Sequence, residues 1–402
     1  MNSETVFTEK TCTVAIVGGG TAGLAVASQL KRLSIEKVVV IEREDEVGGV
    51  PRNCDHYPFG LREHSRFLKG SAYAKRNKKL AKELGVELLT NTTVTKIRPN
   101  ATLELLSKTE RILLKADRVV LTTGVRESSR SQRLIGGDRP NGVITTGALQ
   151  KMVYMSRFKP FQRPIIIGSE LVSFSAIQTC AHLGIKPVAM IEEQDQVRVR
   201  KLFRPYLFIK NIPLYLSVSN IRINGHTSVE SIKFKNSRGL EHEIETDGVI
   251  ISGRFRPETQ LLLDSHIEID AGTSGPAIDQ HGRCTDTSFY ATGNILGHAE
   301  SSGFCWHEGI ETAKRIHEDL LGKGFSDNYM SQVRCDDPAV KFLIPQNLSS
   351  PHGSMSMGRF YIGLNSPINR EIVIKTNLGV IWKGKIKSRP LRRLQIPIPN
   401  LP

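Results

Sequence analysis

Between Val14 and Glu42 the chain carries residue types that can hold a pyrophosphate. Gly18, Gly20 and Gly23 follow the apolar run Val14–Val17 in a Gly-x-Gly-x-x-Gly pattern. At such a turn the first glycine permits a tight bend and the second lets a diphosphate reach the main chain. The third lets helix and strand pack closely. An apolar-periodic segment through Leu24, Val26, Ala27 and Leu30 comes next. Its first turn offers free N–H groups and a positive dipole end to the phosphates. A second apolar run, Val38–Ile41, ends on Glu42, where a carboxylate can accept from a ribose hydroxyl. A lone fingerprint of this kind is weak. Set between two strands with the acid in place, it predicts a β-α-β dinucleotide unit.

The elements that must position this unit are bounded by length and composition. A chain of 402 residues has room for two or three domains. Its longest apolar stretches are strand-length, so no transmembrane segment is expected. The opening MNSETVFTEK lacks a basic-then-apolar signal pattern, and a cytoplasmic location is expected. The six cysteines, at 12, 54, 180, 284, 305 and 335, include no CxxC pair. That spacing argues against a zinc knuckle and a dithiol centre, and no metal site is expected. The formal charge of +15 is partly concentrated in Arg62–Lys82 and Lys383–Arg393. A solvated basic surface is the favoured reading, ahead of docking to an acidic partner, an anionic substrate or a membrane surface. Nucleic acid is not expected as a partner, because the basic runs lack interleaved aromatics.

Further along, Gly48-Gly49 before Pro51 must be a loop. Ser71–Leu84 has helical spacing with Gly85 as a stop. Val86–Leu89, Thr92–Ile97, Leu103–Leu106 and Arg111–Leu114 read as strands, and Val119–Leu121 runs into Thr122-Thr123-Gly124. A second strand–turn–helix begins at Pro164 and continues through Gly168 to Leu183; the strand Pro187–Ile191 then ends at Glu192. Here Glu170 replaces the middle glycine and Ser173 the third. Like charges a few Å apart in a poorly solvated site repel by on the order of several kcal/mol. This second turn is therefore expected to bind NAD(P) weakly or not at all. Past Cys335, Phe342–Ile344, Arg359–Leu364, Glu371–Lys375 and Val380–Ile386 read as strands, with a turn at Thr376–Gly379. Pro390, Pro397, Pro399 and Pro402 break further regular structure. The tail lacks the cysteines that a [2Fe–2S] site requires, and either caps the first domain or docks a partner.

Taken together, these motifs resemble the flavoproteins with two dinucleotide-binding domains, which include the pyridine-nucleotide disulfide reductases. The glycine fingerprint, Glu42, Gly48-Gly49, the VVLTTG run, Asp247–Arg254 with Pro257, and Phe289–Asn294 occur in that family's order over roughly residues 12–325. The resemblance implies an α/β fold of two Rossmann-like three-layer domains, the second inserted in the first, plus a small β-rich tail. The expected boundaries are 1–150 with 276–335, 151–275, and 336–402. It further implies FAD as cofactor. Gly18, Gly20, Thr21, Ala22 and Gly23 would take the pyrophosphate, and Glu42 with Arg43 the adenosine end. Gly49 opens the loop toward the ring, and Val94 would pair with adenine through its backbone. Thr123, Gly124, Gly293, Asn294 and Gly303 would line the rest of the path. Asn294 stands where the family usually has an acid; an amide still donates to and accepts from hydroxyls.

Two loops should then meet the flavin ring, one from Pro51 to Phe59 and one from His298 to Trp306, before a helix over Glu308–Leu321. A helix N-terminus at the ring stabilises the charge that develops on reduction. His56 and His298 are the candidate bases, or loop hydrogen-bonders. Arg52 would pair with a substrate carboxylate, or anchor its loop. Cys54 and Cys305 read as packing residues, and Trp306 as pocket wall or core. With Cys54 the only cysteine in this loop region, thiol exchange is not expected. PRNCDHYPFG and GNILGHAESSGFCWHEG resemble flavoprotein subunits of amine, imino-acid, opine and related dehydrogenases. The expected function is an FAD-dependent dehydrogenase. It would take a hydride from a small amine, imino or hydroxy acid and pass electrons to a non-NAD acceptor or a partner subunit, with a homo-oligomer as the other assembly. An NAD(P)H-dependent flavin reductase and a non-catalytic flavin-binding subunit are the alternatives.

Overall fold

The computed structural model describes residues 7–199, 203–297, 299–323, 330–349, 356–388 and 394–399. Strand β1 (Thr8–Val17) is the centre of the first sheet. Its side chains alternate, with Val14 and Ile16 buried on one face and Ala15 and Val17 on the other. Helix α1 (Thr21–Arg32) covers the first face with Leu24, Ala25, Val26, Ala27 and Leu30, all inaccessible. Each large aliphatic side chain buried this way contributes about 1.5–3 kcal/mol. Lys31 and Arg32 lie at its C-terminal end, where cations complement the dipole. Strand β2 (Val38–Ile41) runs parallel to β1, Val38 beside Val14. Helix α2 (Gly70–Glu83) then stops ahead of Gly85, at φ 77°. Strand β3 (Glu87–Leu89) extends the parallel set beside β2. Strands β4 (Thr93–Arg98), β5 (Thr102–Leu106) and β6 (Arg111–Leu121) form an antiparallel meander, and β6 also runs parallel to β1 along its length.

The second sheet contains β7 (Val143–Thr145), β8 (Ile165–Ile167), then helix α3 (Leu171–His182), β9 (Ala189–Ile191), β10 (Leu214–Tyr215) and β11 (Val249–Ile251). Its five parallel strands are ordered β10-β9-β8-β11-β7. An antiparallel set over Ser219–Asn224, Ser231–Lys235 and Glu241–Glu245 lies over one face. Strand β12 (Phe289–Ala291) then joins the first sheet parallel to β6, and helix α4 (Ser302–Leu320) packs on α1. Gly309 makes that packing close: a side-chain carbon there would lie 2.6 Å from the Ala22 carbonyl oxygen.

Two boundaries fall elsewhere than expected. The chain exchanges sheets where Val125–Arg126 pairs with Arg256–Pro257, not at 150/151 and 275/276. Val143–Thr145 belongs to the second sheet, while Leu262, Ile267 and Ile278 join the first core. A three-residue apolar run has no period of its own, and only non-local pairing assigns it to a sheet. Helix α4 also starts at Ser302, so Ser302–Trp306, expected as loop, is its first turn. Gly309 lies within the helix expected over Glu308–Leu321, where its packing against α1 selects glycine.

The tail forms a three-stranded sheet from Val340–Ile344, Arg359–Leu364 and Leu394–Pro397, and a long hairpin from Ile368–Thr376 and Gly379–Ser388. It is tied to the first domain. Gln280 Nε2 donates to the Ser349 carbonyl at 2.7 Å, and Ser349 N donates back to Gln280 Oε1 at 2.8 Å. Pro390, Pro402 and the end of the basic run Lys383–Arg393 lie outside the described residues.

Candidate functional site

The turn between β1 and α1 assigns each glycine a different reason. Gly18 sits at φ 108°, and a side-chain carbon there would lie 2.7 Å from the Thr122 carbonyl oxygen. At Gly23 it would lie 2.1 Å from the Gly18 carbonyl oxygen. The protein's own packing therefore requires these two. Gly20 is otherwise: its backbone is ordinary (φ −76°, ψ −168°) and nothing lies within 4 Å of where a side chain would begin. Nothing in the polypeptide demands glycine there, and the open space lies at the helix N-terminus, where main-chain N–H groups collect. A diphosphate fits that cradle. Glu42 Oε2 accepts from Gly19 N at 2.9 Å and Oε1 from Glu44 N at 3.0 Å, which holds the carboxylate beside the turn. Arg43 next to it is exposed.

Other expected cofactor positions converge on this turn. Gly49 packs so closely that an added carbon would sit 2.8 Å from Gly20 Cα. At Gly293 an added carbon would likewise lie 2.8 Å from Ala22 Cβ. Thr21 is buried in the first turn of α1. Thr123 Oγ1 donates to the Glu258 carbonyl at 2.7 Å, and Gly124 (φ 75°) faces open space. Val94 is buried, with its strand entering beside Glu42: Thr92 N donates to the Glu42 carbonyl at 3.0 Å. Asn294 uses its amide within its own loop, accepting from Glu300 N at 2.8 Å and from Cys305 Sγ at 3.3 Å. Gly303 packs under Arg62, whose guanidinium lies 4.2 Å from the Phe304 ring centroid.

The turn between β8 and α3 repeats the backbone with other side chains. Gly168 (φ 111°) faces the Ser252 carbonyl as Gly18 faces that of Thr122. Glu170 occupies the Gly20 position at φ −74°, ψ 170°. Its carboxylate accepts from Arg254 N at 3.1 Å, pairs with Arg198 at 3.6 Å, and fills the space beside Gly253. Ser173 Oγ donates to Ser252 Oγ at 2.9 Å in place of close glycine packing. Arg133, unremarked in sequence, caps the strand ends: its Nη1 donates to the carbonyls of Ile167 (3.1 Å) and Ser252 (3.0 Å). Its Nη2 meets Glu193 at 3.0 Å, and Arg254 meets the same carboxylate at 2.6 Å. Glu127 was also missed; it accepts from Gly147 N at 2.8 Å and Gly253 N at 3.0 Å, and burial raises its pKa.

Among the candidate chemical residues, Arg52 pairs with Asp45 at 3.1 Å and Glu44 at 3.5 Å and donates to the Glu46 carbonyl. His56 contacts Ser175 and the Tyr57 carbonyl. His298 lies outside the described residues. Cys54 is buried and its thiol is pushed up to about 12 by desolvation, so it stays protonated. Trp306 is in the core around α1 and α4, edge-on to His64 at 5.5 Å. Among the described residues, no group of three His, Cys, Asp or Glu is placed to hold a metal, and no helix is long and apolar enough to cross a membrane.

Comparison with known proteins decides the family. Residues 12–318 match the family described as pyridine nucleotide-disulphide oxidoreductase. The chain belongs to that family. It is accordingly an FAD-dependent oxidoreductase, with the flavin nucleotide as cofactor. A curated relative is the glutamate synthase [NADPH] small chain of Escherichia coli (strain K12), 24% identical over 64% of this chain and 57% of that one. The chain thus spans little over half the length of that relative. Among solved structures, thioredoxin reductase from T. acidophilum has a TM-score of 0.65 at 21% identity, over 77% of this chain and 99% of that one. L-proline dehydrogenase from P. horikoshii has a TM-score of 0.60 at 18% identity, over 80% and 58%. These two are similar in fold. The open space at Gly20, with the Glu42 carboxylate held beside it, is where such a nucleotide's diphosphate would fit.

Proposed function

We propose that this flavoprotein takes a hydride from a small amine, imino or hydroxy acid and delivers the electrons to an acceptor other than NAD(P), through a partner subunit. FAD, when bound, supplies the hydride acceptor. Gly18, Gly20 and Gly23 seat its diphosphate and Glu42 the adenosine ribose, and the N-terminus of α4 would stabilise the charge that develops on the ring on reduction. The observation carrying the reading is Glu170. A carboxylate stands where a second pyrophosphate would need bare backbone, and it already accepts from Arg254 N. The chain also has no CxxC or CxxxxC pair to receive electrons from the flavin. The relative that forms a synthase's small chain supports a place beside a larger subunit.

The test is anaerobic reduction of the purified yellow protein, followed by flavin absorbance. Added NADH and NADPH at micromolar concentration should leave the flavin oxidised, while one class among amino, imino and hydroxy acids bleaches it. Rapid bleaching by NADPH would instead identify a pyridine-nucleotide-dependent flavin reductase. Oxidised flavin under every reductant would identify a flavin-binding subunit whose catalytic site lies on a sister chain.

A further inference from the structure

The loop leaving the flavin turn is tied to the second domain by a chain of hydrogen bonds. Cys54 and His56 lie on that loop, just after a short 3-10 turn at Val50–Asn53. Gln150 ends the Thr146–Gln150 helix, where the next turn widens to π geometry over Lys151–Met155, and Ser175 lies on α3. His56 Nδ1 is 3.1 Å from the Tyr57 carbonyl oxygen, which can only accept, so Nδ1 carries the proton. In a neutral ring Nε2 must then accept, and the Ser175 hydroxyl donates to it. Ser175 Oγ in turn accepts from Gln150 Nε2 at 2.8 Å. Gln150 Oε1 accepts from the Cys54 thiol at 3.4 Å. Gln150 is 2% exposed and Cys54 5%, so water does not compete for these partners.

We infer that Cys54, Gln150, Ser175 and His56 form an interdomain clamp, in which His56 is a positioning residue held as the neutral Nδ1–H tautomer. The chain starts and ends on one first-domain loop and passes through two second-domain helices. It therefore fixes both the loop conformation and the seating of the second domain on the first. It is not a proton wire, because an amide does not pass a proton on at neutral pH. Both ring nitrogens of His56 have partners within the protein. Burial, partly offset by the Tyr57 carbonyl and Asp55, keeps the ring neutral.

Two measurements on the FAD-loaded full chain test this. Nitrogen NMR of His56 at neutral pH should report the Nδ1–H tautomer; an Nε2–H tautomer or an imidazolium overturns the clamp without any substitution. Hydrogen exchange then separates clamp from local packing. Ser175→Ala and His56→Ala should each speed exchange about tenfold in both 50–57 and 171–182 together, as expected for losing one buried hydrogen bond. His56→Gln, whose amide oxygen can accept from Ser175, and Ser175→Thr, which keeps the hydroxyl, should leave both segments close to the parent. Faster exchange confined to the substituted segment, or His56→Gln behaving as His56→Ala, overturns the proposal.

Discussion

The two strand–turn–helix units of this chain share the backbone geometry of their turns and have opposite contents. Gly20 and Glu170 both precede their helices in extended geometry, at φ −76° and −74°. Gly18 and Gly168 both take φ near 110° beneath a carbonyl, of Thr122 and Ser252. Glu42 and Glu192 both accept from a backbone N–H two residues on, at 3.0 Å, and from the turn itself: Gly19 N for Glu42, Ser169 Oγ for Glu192. What differs is the space before the helix. In the first unit it is open; in the second a carboxylate occupies it, with arginines drawn around it. The fold requires the bend glycine in both units. It does not require the middle glycine, which stands only where the space before the helix is open.

That contrast can be tested by exchanging the contents. Gly20→Glu gives the first turn the second's side chain in a backbone that accepts it. The protein should fold with unchanged circular dichroism while FAD affinity falls at least about 100-fold, since a carboxylate against a diphosphate costs on the order of 3 kcal/mol. Flavin content and an FAD titration check this. Unaltered binding would remove the pyrophosphate from that turn. Glu42→Gln keeps the shape and loses the charge, and should weaken FAD about tenfold by the same titration.

The reverse exchange, Glu170→Gly with Ser173→Gly, should strengthen NADH or NADPH binding about tenfold, less than the loss in the first turn because Arg198 and the Arg254 N–H already offset part of the Glu170 charge. Calorimetric titration reads it. No gain would place the block in the Arg133–Glu193–Arg254 cluster instead, which Arg133→Ala would then relieve.

The smallest effect is the pH dependence of the contact between the units. His56 in the folded protein binds its proton less tightly than an ordinary histidine, whose pKa is 6.5, because burial disfavours the charged ring. Its contribution to stability is therefore present above pH 6.5 and lost as pH falls through the lower folded value. Asp55, held as a carboxylate by Lys69 at 2.8 Å, moderates the loss. Thermal melting should show a modest fall in Tm on acidification that His56→Gln flattens; an equal slope in both proteins would count against it.

Much of this architecture is legible in the sequence. Val14–Val17 and Val38–Ile41 are apolar runs long enough to identify a buried parallel strand, and the glycines between them named the turn. The helix stop at Gly85, the meander and the tail hairpin follow from local signals of the same kind. Val143–Thr145 and the start of α4 were not legible, because strand pairing and helix–helix contact assigned them. In the site, Gly20, Glu42 and Glu170 could be read from spacing. Arg133, Glu127, Gln150 and Ser175 could not: each acts through partners between 20 and 126 residues away, and no spacing rule links them.

The amino-acid sequence by itself determined the family, the flavin turn and the loss of glycines in the second turn, because backbone conformation and side-chain volume at adjacent positions are local properties. Only the tertiary structure decided what fills the second turn and which atom of His56 carries its proton. Those depend on which donors and acceptors folding brings within hydrogen-bond distance, and hydrogen-bond direction exists only once both partners are in place.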